Sequence, residues 1–429
     1  AMTTRRDFLK ITGQGIFVMF TVDITELLAR RTFQFRNYPT DFNAYLRIGE
    51  DGRITLFTGK IEMGQGVHTS LPQMLAEELD VPLASVDPVM GDTALCPWDM
   101  GTFGSMSTRF FGPPMRKAAA EAKGVLKELA AERLGVPVAR LGTRDGSVFD
   151  TQNPGAAVTY GTLAQGRRIE REVTGQAPLD DRRDYTVSGV ATPRRDAVAK
   201  VTGKAKYTAD IRLPVMVYAK IVRPPAHGST LLEVDVAGAE AIEGATVVRD
   251  GDLVAVLHEL PDMAELALAE VNARWQEPAS GPSNATIFEH LEANVPAPRV
   301  VTEAGDLAQG RGAARHVKES TYRGQYYAHA PMEPHAALAQ VEGGKATVWA
   351  STQNPFTLVN EVARVLGMPP EDVRVLTPFV GGGFGGKGEM APLDFCAAAL
   401  ARRTGRPVRI AYTREESLCT TRARHPMMV

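Results

Sequence analysis

Between Val380 and Glu389 the sequence reads VGGGFGGKGE, with six glycines in the eight positions 381–388. So few side chains exclude a stable helix or strand interior and call for a loop whose backbone approaches something closely. Val373–Leu376 before it reads as a strand, and Met390–Arg403 after it as a helix. Strand, glycine loop and helix are the setting of two nucleotide-binding motifs. Gly381, Gly383 and Gly386 satisfy G-x-G-x-x-G; Gly381, Gly386 and Lys387 satisfy most of G-x-x-x-x-G-K-[ST]. Neither fits fully. Gly388 stands where a P-loop carries its Mg²⁺-binding hydroxyl, and Thr377–Phe379 separate strand from glycines. The next strand, Val408–Ala411, leads to Thr413-Arg414 rather than to an acid for a ribose. ATP or NAD binding therefore stays open as an alternative, beside a plain packing turn.

Three companions shift the weight. Gly64-Gln65-Gly66 sets glycines around one polar residue. Gly101–Thr108, GTFGSMST, supplies small residues and hydroxyls able to donate hydrogen bonds. Ser351–Pro355, STQNP, places an amide straight after the strand Ala346–Ala350. A phosphate needs one helix terminus. Several separate donor loops suit a large, flat, heteroatom-rich ligand better.

The remaining sequence frames these loops. Ala44–Ile48 and Ile54–Phe57 flank a glycine-bearing turn and read as a hairpin, and helical periodicity covers Thr69–Leu79 and Arg116–Leu134. Val217–Val222 and Leu253–Leu257 read as strands, Ala264–Arg274 and Leu358–Leu366 as helices. Apolar content of 44%, charged content of 23% and a formal net charge of −2 describe a globular chain with no basic surplus for nucleic acid. The three cysteines, Cys96, Cys396 and Cys419, are too scattered for an iron–sulfur or structural zinc centre and read as buried thiols. Thr3–Lys10, TTRRDFLK, followed by the apolar Ile16–Phe20, resembles a twin-arginine export leader.

Together the four loop segments resemble the molybdopterin-binding large subunit of the xanthine oxidase family of molybdenum hydroxylases. The likeness runs from about Ala44 to the end of the chain. Its order, with MGQG and GTFGSMST before the GKAKYTADI unit and STQNP and GGGFGGK after it, resembles the permuted isoquinoline 1-oxidoreductase β-subunit type and related exported aldehyde dehydrogenases. The resemblance implies an α+β fold in which molybdopterin-binding segments flank an α/β hammerhead domain. The expected divisions are a leader (1–35), a molybdopterin-binding segment (36–166), a linker (167–194), a hammerhead-like domain (195–280) and a second molybdopterin-binding segment (281–429).

It also implies roles. Gln353 matches a glutamine hydrogen-bonded to the metal's apical oxygen, and Phe384-Gly385, with Gly383, the backbone lying against the metal and bordering the substrate. Gly64, Gln65 and Gly66 match the pterin-contacting turn; Phe103, Gly104, Ser105, Ser107 and Thr108 match the loop beneath the pterin and its phosphate. Dithiolene sulfurs of the cofactor hold the molybdenum, so no side chain is expected to ligate it. The family hydroxylates electron-poor carbon with oxygen from water, using a glutamate base, and exports electrons through [2Fe–2S] clusters. Here those clusters are expected in a separate small subunit. The base, matched by none of Glu62, Glu333 or Glu389, is expected from the rest of the large subunit as a second chain. The expected enzyme oxidises an aldehyde or N-heteroaromatic compound in the periplasm. The pterin is expected in its cytosine dinucleotide form, a c-type cytochrome as acceptor, and membrane association through partners. Gly388, where purine-oxidising members carry an acid, argues against a purine. A cofactor-free assembly module of the same fold is the third reading. His329, Glu333 and His335 are expected to hydrogen-bond the loop rather than bind metal, and Lys387 is either a cation for the ligand or salt-bridged.

Overall fold

The computed structural model describes residues 14–20, 44–279, 281–300 and 302–429, and counts and absences refer to these residues. Two sheets dominate. The first runs, in spatial order, Val86–Met90, Ile54–Thr58, Ala44–Ile48, Gly15–Phe20 and Arg168–Glu172. The expected hairpin is present, with Ala44 opposite Thr58 and Ile48 opposite Ile54. Helices Val67–Glu78 and Gly112–Leu134 cover one face of this sheet.

Gly15–Phe20 departs from expectation. Read as the apolar part of a leader, it is an inner strand, antiparallel to Ala44–Ile48 and parallel to Arg168–Glu172. Alternation sends Ile16 and Val18 into the main core beneath the helices, and Phe17 and Met19 into a cluster with Phe57 on the other face. Ile16, Phe17 and Val18 are each 0% exposed. A strand buried on both faces needs a continuous apolar run, and IFVMF provides one. The twin arginines lie outside the described residues.

The expected linker, 167–194, is also structured. Arg168–Glu172 is the edge strand of the sheet, and the chain beyond it is strapped to helix Val67–Glu78. There the carboxylate of Glu77 accepts the N–H groups of Thr186, Val187 and Ser188 at 2.9, 2.6 and 2.6 Å. The charges that suggest a free crossing in the sequence are the fastening in the fold. Lys123 reaches Asp180 at 2.8 Å, and Arg194 reaches Asp196 at 2.7 Å.

The second sheet has seven strands: Thr246–Asp250, Leu253–His258, Val217–Ile221, Val408–Ala411, Ala336–Glu342, Lys345–Ala350 and Val373–Leu376. Val217 pairs with Val408 in parallel, so the expected hammerhead unit and the C-terminal segment share one sheet across the division drawn at 280. Helix Pro261–Ala269 ends early, and Asn272–Arg274, expected as the end of that helix, open the strand Asn272–Gln276, paired with Thr230–Asp235. Two helices pack on the C-terminal strands. Pro355–Leu366 starts on an Asn354 cap and ends at Gly367; Pro392–Thr404 starts on the Asp394–Ala391 bond and ends at Gly405. Proline at the first turn and left-handed glycine at the end explain both boundaries.

The sheets meet along a seam. Thr377 donates to Gly91 O at 2.8 Å and Thr93 to Val375 O at 3.0 Å, while Arg374 pairs with Asp92. The glycine loop emerges from this seam.

Candidate functional site

Gln353 is the hub. It leaves strand Lys345–Ala350 through Ser351-Thr352 and is 2% exposed. Its N–H donates to Lys387 O at 2.8 Å, and its carbonyl accepts from Thr102 N at 2.9 Å. Its side chain spans the same two loops: Oε1 accepts from Gly385 N at 3.1 Å, and Nε2 donates to Thr102 O at 2.6 Å. An amide nitrogen carries two hydrogens, and these contacts use one of them. Thr102, unremarked in the sequence, is thus the counterpart of Gln353, 251 residues away. No local signal could have paired them.

The glycine loop fits around this hub. A Cβ on Gly383 would stand 2.4 Å from Gln353 Oε1, and one on Gly381 would stand 2.4 Å from Glu333 Cβ. Gly385 takes φ 102° and Phe384 takes φ 54°, a left-handed conformation that a phenylalanine adopts only under constraint. The residue is 73% exposed at the crest. Lys387 is 1% exposed, and its ammonium donates to Glu333 Oε2 at 2.7 Å. Burial pulls its pKa down and Glu333 opposes the shift. Of the two roles left open for Lys387, salt bridging is the one found. An inward, paired lysine also removes the cation that a P-loop turns toward phosphate.

The other segments converge here. Lys60 Nζ donates to Asp99 and to Gly101 O, each at 2.9 Å, and Ile61 N donates to Thr102 Oγ1 at 2.8 Å. Val380 N donates to Glu62 O at 3.0 Å, which places the Gly64-Gln65-Gly66 turn beside the glycine loop. Glu62 itself shapes that turn by accepting the N–H groups of Gly64, Gly66 and His68 at 2.8, 3.1 and 2.9 Å. Gln65 folds back, accepting from Met63 N and donating to Ile61 O, both at 2.7 Å. Its side chain here stabilises its own turn, and, being exposed, it keeps one amide hydrogen for a ligand. In the next loop Gly104 and Ser105 take φ 65° and 56°, and with Thr108 they are exposed. Ser107, by contrast, is buried, and Phe103 is half-buried beside Gly101. The chain then winds through a π-turn, Ser107–Phe111, into the long helix Gly112–Leu134.

The histidines beside the loop have structural partners. His335 is buried, with Nε2 at 3.2 Å from Gly386 O and Nδ1 at 3.0 Å from Ser417 Oγ. Burial pushes its pKa down to about 4, so the ring is neutral. His329 Nδ1 lies 3.1 Å from Arg422 O, and its ring packs against Gly385 and Gly386. Cys96 is buried, and burial raises its thiol to about 12, which removes its nucleophilicity. Among the described residues no group of three or more His, Cys, Asp or Glu side chains could hold a metal ion.

The rim therefore consists of backbone, one buried amide and small hydroxyls. Space is open where side chains on Gly64 and Gly66 would stand. Such a rim suits a large flat ligand bringing its own metal ligands, which is the donor chemistry of a metal-bearing pterin. Two molybdopterin cofactor-binding domain families match the chain, over residues 3–209 and 288–429. A nicotinate dehydrogenase chain of Pseudomonas putida is 33% identical over 385 residues, covering 87% of this chain and 32% of that protein. The isoquinoline 1-oxidoreductase β-subunit of Brevundimonas diminuta is 28% identical over 441 residues, covering 88% and 54%. Quinoline 2-oxidoreductase from Pseudomonas putida 86 overlaps 53% of this chain and 35% of its own, at 24% identity and a TM-score of 0.42. The chain belongs to the xanthine oxidase family of molybdopterin-dependent oxidoreductases, as a molybdenum-binding large-subunit chain. It spans 32% and 54% of the length of these two curated relatives.

Proposed function

We propose that the chain forms the cofactor-side half of a molybdenum hydroxylase that oxidises an N-heteroaromatic compound, or alternatively an aldehyde, with oxygen from water. The observation carrying this reading is that Gln353 joins the Gly101–Thr108 segment to the glycine loop, with the Gly64–Gly66 turn beside them and Phe384-Gly385 presented at the crest. The relatives' names, nicotinate dehydrogenase and isoquinoline 1-oxidoreductase, favour the heteroaromatic class. Glu389, the nearest acid after Lys387-Gly388, is exposed and ion-paired with Arg422, which supports the case against a purine.

Molybdenum held by the pterin would supply the redox chemistry; this chain would supply position. Gln353 would offer its remaining amide hydrogen to the metal's oxygen shell, from a side chain already fixed by two hydrogen bonds. Phe384 would form the apolar wall on which a planar substrate ring stacks. Gly104, Ser105 and Thr108, before the long helix, would hold the pterin phosphate, and Gly64 and Gly66 would admit the pterin edge. The base would come from the part of the large subunit that the relatives carry beyond the matched region. Electrons would leave through a small [2Fe–2S] subunit to an acceptor such as a c-type cytochrome. A cytosine dinucleotide appendage and a periplasmic site reached by twin-arginine export, with membrane association through partners, complete the proposal.

The test is to purify the chain with its natural partners and measure molybdenum, pterin and turnover of isoquinoline, nicotinate and benzaldehyde. Stoichiometric molybdenum with turnover of a heteroaromatic substrate is expected. Absent molybdenum in the complete complex would sink the reading, and bound pterin without turnover would favour an assembly role.

A further inference from the structure

We propose that Glu333 is the positioning residue of the glycine loop, an inference that rests on the functional reading above. One oxygen, Oε2, holds both ends of the loop. It accepts the Gly381 N–H at 2.7 Å and the Lys387 ammonium at 2.7 Å. Glu333 N in turn donates to Gly381 O at 3.1 Å, so residue 381 is gripped in both directions. The lysine side chain is 0% exposed and the glutamate's 10%, so neither charge is stabilised by solvent. Buried pairs of this kind contribute little net stability against apolar replacements of equal volume. A geometric role explains this pair better.

That role is visible in what lies between the two ends. Residues 382–386 must turn outward, placing Phe384 at φ 54° and aiming the Gly385 N–H at Gln353 Oε1. His335 fixes Gly386 O and Gln353 fixes Lys387 O, but both act on the descending limb. On the ascending limb the Gly381 N–H is held by Glu333. Through Gly381 and Lys387 the glutamate sets that crest.

Two double variants separate geometry from stability. Glu333→Gln with Lys387→Met removes both charges but keeps an acceptor for Gly381; Glu333→Leu with Lys387→Met removes the acceptor too. In the complex purified with its partners, both are expected to melt within about 3 °C of each other, because each replaces the ion pair by neutral groups. Molybdenum per chain should stay within about twofold of wild type in the first and fall roughly tenfold in the second. Amide exchange across residues 381–385 should rise about tenfold in the second alone. Equal metal content and equal exchange in the two would overturn the assignment. Should the leucine variant not fold, Glu333→Asp, which keeps the charge but withdraws the carboxylate, should show the same rise; unchanged exchange there overturns it equally. Molybdenum missing from the wild-type complex would defeat the functional reading, while the exchange comparison would still decide for or against Glu333.

Discussion

Replacing Gly383 by alanine tests how firmly the hub is held. A Cβ there would stand 2.4 Å from Gln353 Oε1, 2.8 Å from Cδ and 3.2 Å from Cγ. The conflict is with a side chain, yet not a flexible one, because Oε1 and Nε2 are both engaged, at 3.1 and 2.6 Å. Displacing the amide leaves two partners, Gly385 N–H and Thr102 O, unpaired at about 1–3 kcal/mol each. The expected destabilisation is therefore roughly 2–6 kcal/mol. Gly124 is the control: it lies inside helix Gly112–Leu134, and a Cβ added there would meet nothing within 4 Å, so Gly124→Ala should gain up to about 1 kcal/mol. Denaturant unfolding gives both values, and molybdenum content reports the effect on the site. A cycle with Gln353→Ala sharpens the test, since truncating the glutamine removes the clash. Gly383→Ala should then add little to the Gln353→Ala background, so that the coupling is nearly as large as the cost of Gly383→Ala alone. Additive effects, or a Gly383→Ala chain as stable as wild type, would refute a rigid Gln353.

Four further outcomes follow from other parts of the molecule. His335, held at about 4 when folded against an ordinary value near 6.5, binds fewer protons folded than unfolded; its contribution is complete above about pH 6.5 and is lost as pH falls toward 4, by on the order of 3 kcal/mol. Buried Asp394, raised to about 7, acts in the opposite sense, and Lys387, His329 and Arg414 face the ring, so the measured quantity is the difference in slope between wild type and His335→Gln. Val18→Asp should leave the chain insoluble, because it puts a charge into a fully buried strand at a cost of several kcal/mol. By the same reasoning, protein isolated from its native host should retain Gly15–Phe20 in its N-terminal peptide by mass spectrometry, and a mature N-terminus beyond Phe20 would contradict the strand. Arg374→Ala, which touches no site residue, should leave the buried Asp92 carboxylate with the Ala94 N–H but without its counter-charge, and cost about 1–3 kcal/mol by unfolding.

The sequence made the site's segments legible because each carries a local anomaly. Glycines cluster at 381–388, and Gly64-Gln65-Gly66, Gly101–Thr108 and Gln353 sit in runs that ordinary helices and strands do not use. The end of helix Pro355–Leu366, before Gly367, was legible, whereas its start was read three residues late, at Leu358. Three further things were not legible. An apolar run ahead of a hairpin reads equally as a leader or as a core strand until a neighbour pairs with it, and Gly15–Phe20 gains its neighbours from residues 44–48 and 168–172. The charged stretch 167–194 looked solvated because its partners, Glu77, Glu78 and Lys123, lie on helices far upstream. The pairing of Lys387 with Glu333 joins residues 54 apart, so composition left the lysine's role undecided.

This distribution has a functional consequence. The four hydrogen bonds that fix Gln353 come from Thr102 and from residues 385–387, and none needs a ligand to form. A hub assembled in advance loses no further side-chain freedom when a cofactor arrives, so binding is not opposed by ordering it. Gln65 is held in the same way, by two 2.7 Å bonds within its own turn, and as an exposed side chain it keeps its second amide hydrogen for a ligand. The two amides are thus set in advance by separate contacts, Gln353 by the glycine loop and Gln65 by its own turn. Gln65→Ala is accordingly expected to alter cofactor retention while leaving the glycine loop's amide exchange unchanged.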